Sequence, residues 1–371
     1  MRTVLSALVP SHLMPMVPLA WALRAAGHEV LVIADEPVTA TATAAGLTAV
    51  RLTPAEAPPE PDGPPPDPGT IRTAAYLPDW LRLARGWAAD LVVTDPLDHA
   101  GWICAGALGL PLVVHRYGPE AFSTRLHERV REPLRPLAVA AGAVGGLPEP
   151  DLILDPCPPG LRSEALAPAH PVRFVPYGGG GEAPGWVLDR PAGGRRRVAV
   201  CLGVWGGARY AADLPQAFGH AFRALAAEPG LETVFPLPEE QRAAVGSLPG
   251  AVRAVDPLPL GLLAPGCDLI VHHGGAGTAL TALAAGVPQL VLPPEQTPLR
   301  ATAELVAAAG AGLAVPAESG GEGEVSRALG ALLSEDRFAA AAAALGEEIR
   351  AQPSPADLVA VLERLLPARM V

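Results

Sequence analysis

Along most of this chain, short apolar runs rich in β-branched residues alternate with longer stretches in which alanine and leucine recur at helical spacing. That alternation is the pattern of parallel α/β architecture. Thr3–Val9 reads as a first strand, Pro15–Ala26 as a helix, and Glu29–Ala34 as a second strand. Gly27 stands at the helix end, where a left-handed C-cap is common. Leu91–Thr94 and Leu112–His115 read as two more buried strands, joined by the helical stretch Ala100–Leu108.

Proline and glycine punctuate the rest. Thr53 to Gly69 is dominated by Pro, Glu, Asp and Gly, and reads either as a plain surface loop or as a flap over a cleft. Tyr177 to Gly194 holds four successive glycines, a further glycine pair and two prolines, the composition of an interdomain linker. A second α/β series comes after it, with strands at Arg197–Leu202, Thr233–Phe235, Leu269–Val271 and Gln289–Leu292. Helices fall at Leu214–Ala227, from near Gly277, and at Pro355–Leu366. The pattern predicts two doubly wound, Rossmann-like domains facing across a cleft. Residues 1–190 form the first with the linker at its end, 195–355 the second, and 356–371 a C-terminal helix that returns to the first. A chain of 371 residues suits two domains.

Composition narrows the chemistry. Half the residues are hydrophobic and 18% are charged, enough to bury sizeable cores. No apolar run reaches the roughly 18 residues of a membrane helix. The stretch from Met1 to Pro10 resembles a signal peptide superficially but lacks a cleavage site, and Pro15 and Pro18 break the segment after it, so a cytoplasmic location without membrane insertion is expected. A net charge of -11 argues against a nucleic-acid partner, and Arg195–Arg197 is the only tight basic run. Cys104, Cys157, Cys201 and Cys267 form no C-x-x-C pattern and read as buried free thiols. Neither lysine nor asparagine occurs, which excludes a P-loop lysine and Schiff-base or pyridoxal-phosphate chemistry.

The most informative segment runs Asp268-Leu269-Ile270-Val271-His272-His273-Gly274-Gly275-Ala276-Gly277-Thr278, with Gly286-Val287-Pro288 and Pro293-Pro294-Glu295-Gln296 after it. Strand, glycine-rich turn and helix N-terminus present free backbone N–H groups and a positive dipole end to an anion. Thr278 adds a hydroxyl donor and His272 a side-chain donor toward a diphosphate oxygen. The segment resembles the donor-site signature of inverting GT-B glycosyltransferases, close to those that attach deoxysugars to polyketide antibiotics and nearest in look to the urdamycin-type aromatic polyketide transferases. Ser11-His12-Leu13-Met14-Pro15 and the Leu19-Ala20 pair are similar to that family's N-terminal G-H-x-x-P-x-x-x-L-A segment, so the resemblance spans both domains.

The resemblance implies a metal-independent enzyme with a dTDP-sugar as co-substrate, no separate cofactor, a small hydrophobic acceptor as the other partner, and room for a homodimer. It places the donor diphosphate on His272, Gly274, Gly275, Gly277 and Thr278, and the sugar hydroxyls on Glu295 and Gln296. Many relatives stack a tryptophan on the base at the position held here by Pro257, which leaves Leu258 and Leu260 to contact the base. Relatives using uridine donors carry a glutamate eight residues after the leading histidine, to hold both ribose hydroxyls. Leu280 stands there and can accept no hydrogen bond, which predicts a preference for deoxyribose.

On the acceptor side, His12 follows the first strand at the carboxyl edge of the sheet, the usual place for a site, and suits the role of general base. The family's orienting carboxylate matches Asp95, whose alternative role is capping the next helix. Asp98 and Glu120 are further carboxylates. Tyr76, Trp80, Trp87, Tyr117 and Phe122 are candidates for apolar walls, and Trp205 by its place lines the cleft opposite the diphosphate. The competing readings are a nucleotide-sugar 2-epimerase of the same fold, a silent auxiliary partner of a transferase, and a nicotinamide oxidoreductase, whose G-x-G-x-x-G is replaced here by Pro10-Ser11-His12. The sequence leaves the sugar, the acceptor, and an oxygen or carbon linkage open.

Overall fold

The computed structural model describes residues 1–55, 68–119, 122–163, 166–203, 216–239, 242, 248–295 and 297–366. Two parallel sheets organise it. The first holds β1 (Arg2–Ser6), β2 (Glu29–Ala34), β3 (Ala49–Arg51), β4 (Leu91–Thr94), β5 (Leu112–His115), β6 (Leu152–Asp155) and β7 (His170–Pro171), in the order β3-β2-β1-β4-β5-β6-β7. The second holds β8 (Arg196–Cys201), β9 (Leu231–Pro236), β10 (Val252–Val255), β11 (Leu269–His272), β12 (Gln289–Val291) and β13 (Gly312–Ala314), in the order β10-β9-β8-β11-β12-β13. These are the two doubly wound domains that the alternating pattern predicts, in the GT-B arrangement that the resemblance implies.

Each sheet starts in its own middle. The chain lays strands outward on one side of β1 or β8, then crosses over and continues from β4 or β11 on the other side. A crevice therefore opens beyond the carboxyl ends of β1 and β4, and another beyond β8 and β11, the topological switch points where open α/β sheets bind ligands. Register keeps the ends level, with Ser6 opposite Thr94 and Cys201 opposite His272.

Local structure departs from the sequence pattern where proline intervenes. The first strand ends at Ser6 rather than Val9, and the chain then enters a short helix at Pro10–Leu13. The helix expected over Pro15–Ala26 is divided into a 3₁₀ turn at Met14–Met16 and a helix at Val17–Ala25, because Pro15 and Pro18 lack the N–H that would join the pieces. Pro68–Gly86 and Phe122–Ala141 are long helices despite the internal Pro78, Pro133 and Pro136. The terminal helix is Val359–Glu363, shorter than the expected Pro355–Leu366.

Both sheets are covered on each face by apolar side chains, as parallel sheets require. Leu358, Val359 and Leu362 join the cluster formed by Leu5, Val32 and Val93, so the chain's end packs on the first sheet. Cys157, Leu161 and Phe174 of the first domain share a cluster with Leu280, Leu283 and Val291 of the second. All four cysteines are buried and free. Among the described residues no helix is long and apolar enough to cross a membrane.

Candidate active site

At the first switch point, β1 delivers the loop Ala7–Val9 and then His12, while β4 delivers Asp95. His12 Nδ1 lies 2.9 Å from Asp95 Oδ2. A carboxylate is acceptor-only, so Nδ1 supplies the hydrogen of this bond and Nε2 is the nitrogen left to exchange a proton. The same Oδ2 accepts the Leu8 N–H at 2.6 Å, and Oδ1 accepts the N–H groups of Leu97 and Asp98 at 2.6 and 2.9 Å. Burial pushes this carboxyl's pKa up, but the His12 charge and hydrogen bond and the backbone donors outweigh it and hold the pKa below the ordinary value. Asp95 is fully buried and stays ionised, fixed beside the one ring it orients.

Asp98 is close by but differently used. It accepts a hydrogen bond from the Ser6 hydroxyl, and burial pushes its pKa up to about 6, with Asp95 adding in the same direction. Asp98, not Asp95, is the N-cap position of the helix His99–Leu108. Glu120 lies outside the described residues.

A cavity of about 330 Å³ opens against this corner, lined by Leu8, Arg72, Tyr76, Asp98, Leu126 and Val130 among others. Of the aromatic candidates, Tyr76 lines the cavity, Trp80 is wholly buried in the core, and Trp87 packs half-buried against that core. Phe122 opens its helix, but its side chain lies outside the described part. Tyr117 lies flat on the His12 ring, centroids 3.6 Å apart and planes within 6°. Its loop is anchored by the preceding Arg116, which makes a buried ion pair with Asp155 at 3.0 Å and donates to the Ala167 carbonyl.

At the second switch point, β11 ends at His272 and the glycine turn leads into the helix Ala276–Ala284. Gly274 has φ +97°, and a Cβ there would lie 2.9 Å from the Leu299 carbonyl oxygen, so the turn admits only glycine. Gly275 is the N-cap and has no side chain to offer. The first-turn N–H groups of Ala276, Gly277 and Thr278 thus have no helical partner, with Gly277 exposed and Thr278 half-buried.

The structure corrects the role expected of His272. Its ring is fully buried, Nε2 donates to Gln289 Oε1 at 2.8 Å, and Nδ1 accepts the Gly274 N–H at 3.1 Å. Both nitrogens brace the turn from within, and neither is left for a diphosphate. Burial and the neighbouring His273 push its pKa down to about 3, so the ring is neutral. His273, which the motif alone does not single out, stands beside the turn with a nitrogen unused. Its Nδ1 is buried without a hydrogen-bond partner, and its ring stands against the turn, Cε1 lying 3.0 Å from where a Gly275 Cβ would be. Burial lowers its pKa to about 4 despite a hydrogen bond to the Cys201 backbone.

One further expectation changes. Leu280 is fully buried among Cys157, Leu283 and Val291, so it faces the core and not a ribose. Leu258 and Leu260 are half-buried and pack against the cluster that includes Val187, Val234 and Leu263. Glu295 is exposed and its N–H donates to Glu318 at 2.9 Å, whereas Gln296 and Trp205 lie outside the described residues. No group of three or more His, Cys, Asp or Glu side chains is placed to hold a metal ion among the described residues.

The two switch points meet. A Cβ on Gly118 would lie 2.3 Å from the Ala276 Cβ, so the Tyr117–Gly118 backbone touches the first residue of the helix after the glycine turn. The loop that stacks on the carboxylate-held imidazole therefore adjoins the helix start that presents the turn's backbone donors.

Comparison with known proteins gives a consistent result across the chain. Residues 21–58 and 71–203 match the family model of the erythromycin biosynthesis protein CIII-like N-terminal domain, and residues 224–365 match that of its C-terminal domain. The chain is 35% identical to the L-demethylnoviosyl transferase of Streptomyces niveus over 96% of each sequence. It is 36% identical to the elloramycin glycosyltransferase ElmGT of Streptomyces olivaceus, covering 95% of this chain and 94% of that one. Among solved structures, the spinosyn rhamnosyltransferase SpnG superposes with a TM-score of 0.88 at 37% identity over 98% of this chain and 100% of that one. SpnG has also been solved with thymidine diphosphate and with spinosyn aglycone.

Proposed function

The chain belongs to the erythromycin biosynthesis protein CIII-like glycosyltransferases, and from that membership we propose that it moves a deoxysugar from thymidine diphosphate onto a hydrophobic polyketide acceptor, inverting the anomeric carbon. The observation that carries the reading is the His12–Asp95 pair at 2.9 Å, set beside the cavity at one switch point and joined through Gly118 to the glycine turn at the other.

In this reading the acceptor lies in the cavity with its hydroxyl toward His12 Nε2. Nε2 takes the hydroxyl proton as the oxygen forms its bond to the anomeric carbon, and the bond from that carbon to the diphosphate breaks with its electron pair leaving on the diphosphate. Asp95 keeps the imidazole in the required tautomer and offsets the charge it acquires. The turn's free N–H groups, the helix dipole and His273 take up the negative charge of the leaving group, which removes the need for a metal. Carbon transfer to a phenol uses the same base, since deprotonation makes the ortho carbon nucleophilic. The thymidine preference is supported by the relatives' deoxysugar chemistry and by the thymidine diphosphate complex of SpnG, and no longer by Leu280.

The test is transfer from dTDP-deoxysugars to a panel of polyketide aglycones, with the product's anomeric configuration read by nuclear magnetic resonance. His12→Ala should reduce turnover by about 10²–10⁴ while leaving thymidine diphosphate affinity within about twofold. Near-normal turnover in that variant would remove His12 as the base. Nucleotide release that needs no acceptor would favour the epimerase. Retained configuration, or tighter binding of uridine diphosphate than of thymidine diphosphate, would sink those parts of the reading.

A further inference from the structure

The imidazole of His12 has an edge and two faces. Its Nδ1 edge is held by Asp95, and one face is covered by the parallel ring of Tyr117 at 3.6 Å. For a neutral imidazole this is an ordinary aromatic stack. Once the ring takes a proton, the positive charge is spread over atoms lying against the electron-rich face of a phenol, well inside the roughly 6 Å range of a cation–π contact. We propose that Tyr117 is a positioning residue that also stabilises protonated His12, so that the strength of the base is set by this ring as well as by Asp95. The proposal rests on His12 being the base.

Tyr117 is held in place from both sides. Arg116 ties the loop into the first domain through its buried pair with Asp155, and Gly118 rests on Ala276 of the second. The stacking ring thus sits in the loop through which the first domain touches the helix after the glycine turn. Other charged groups near His12 have partners of their own. Behind Asp95, Asp98 bonds to Ser6. On the helix packed against that of His12, Glu36 pairs with Arg51, and the preceding Asp35 pairs with Arg72. Among the described residues, Asp95 bonds to the ring and Tyr117 stacks on it.

The experiment follows the pH dependence of kcat/KM and, independently of turnover, titrates isotope-labelled histidine by nuclear magnetic resonance, with the His12 signal identified by its loss in His12→Ala. Replacing Tyr117 by Leu removes the π face and should move the acid limb and the His12 titration to lower pH by about 0.5–1 unit. Tyr117→Phe keeps the face and should leave both in place. Pentafluorophenylalanine at position 117 keeps the shape but not the negative face, and should reproduce the shift of Leu even if the Leu variant folds poorly. If the limb and titration stay put in the Leu and fluorinated variants while turnover falls at every pH, Tyr117 only fills space and the proposal fails. If His12→Ala keeps its turnover, it is the base assignment that fails instead.

Discussion

His272 and His273 adjoin in the chain, yet the structure sets them in different surroundings. Successive side chains at the end of a strand point to opposite faces, so a motif that shows two histidines cannot tell which one meets the ligand. His272 turns inward and satisfies the buried Gly274 N–H, while His273 keeps a nitrogen without a partner beside the turn. His272→Ala should therefore act on the fold, lowering unfolding free energy by about 2–4 kcal/mol through a cavity and two orphaned groups. His273→Ala should act on the ligand, weakening thymidine diphosphate by about tenfold or more, as for a lost bond to a charged group. Calorimetry and urea unfolding on both variants separate the two, and an exchange of these effects would restore the role the motif first suggested for His272. Asp98 gives a second prediction. Its pKa is about 6 in the folded protein against an ordinary 3.8 for an aspartate in water, so between those values the native state holds the extra proton. Stability then falls as pH rises through that window and levels off above it. Asp98→Asn can still accept from Ser6 and carries no charge. It should match the wild type near pH 4 and exceed it by about 2–3 kcal/mol above pH 7. A constant difference across that range in urea titrations would show that burial of the Asp98 charge is not the cause.

At the scale of elements, strands were the legible part. Glu29–Ala34, Leu91–Thr94 and Leu112–His115 stand where apolar runs bounded by polar and glycine residues put them, because strands buried on both faces need only be apolar. The helices Pro68–Gly86 and Phe122–Ala141 were hidden by their prolines, which read as breakers when taken locally. Tertiary burial of Leu77, Trp80 and Ala84 on one, and of Leu134 and Ala138 on the other, offsets the lost backbone bonds. The stacking of Tyr117 and the approach of Gly118 could not be read at all, since both depend on loops from separate strands meeting. That approach is testable by relief of a clash. Gly118→Ala places its Cβ 2.3 Å from the Ala276 Cβ, which forces the loop and the helix apart. It should reduce kcat/KM by about tenfold or more, as for an approximately 1 Å misplacement of reacting groups. Ala276→Gly removes the opposing atom and leaves the Ala276 Cα at 3.7 Å as the nearest, an ordinary contact. The double variant should recover most of the loss. If it does no better than Gly118→Ala alone, the two residues are not in contact during turnover.

Over the whole molecule, the order of the chain and the order of the domains part company at the end. After the helix Asp336–Ala351 packs on the helix that follows the glycine turn, the chain leaves the second domain. Gln352 donates to the Cys157 carbonyl, Arg173 donates to the Gln352 carbonyl, and Leu358 and Leu362 finish in the core beneath β1 and β2. The two domains are thus joined twice, by the linker and by this return, so a change near the C-terminus should be felt in the N-terminal sheet. Leu362 is wholly buried there. Leu362→Ala should cost about 2–4 kcal/mol, the usual range for a truncated core leucine, and the loss should fall on the first domain. In native-state hydrogen exchange, amides of β1, β2 and β4 should lose protection while those of β8 and β11 keep theirs. The donor turn lies in the protected half, so thymidine diphosphate affinity should persist in the variant at temperatures where acceptor transfer has already failed. Equal loss of protection in both sheets would mean that the molecule opens as one cooperative unit, with the return helix serving as a weld between domains instead of a part of the first core.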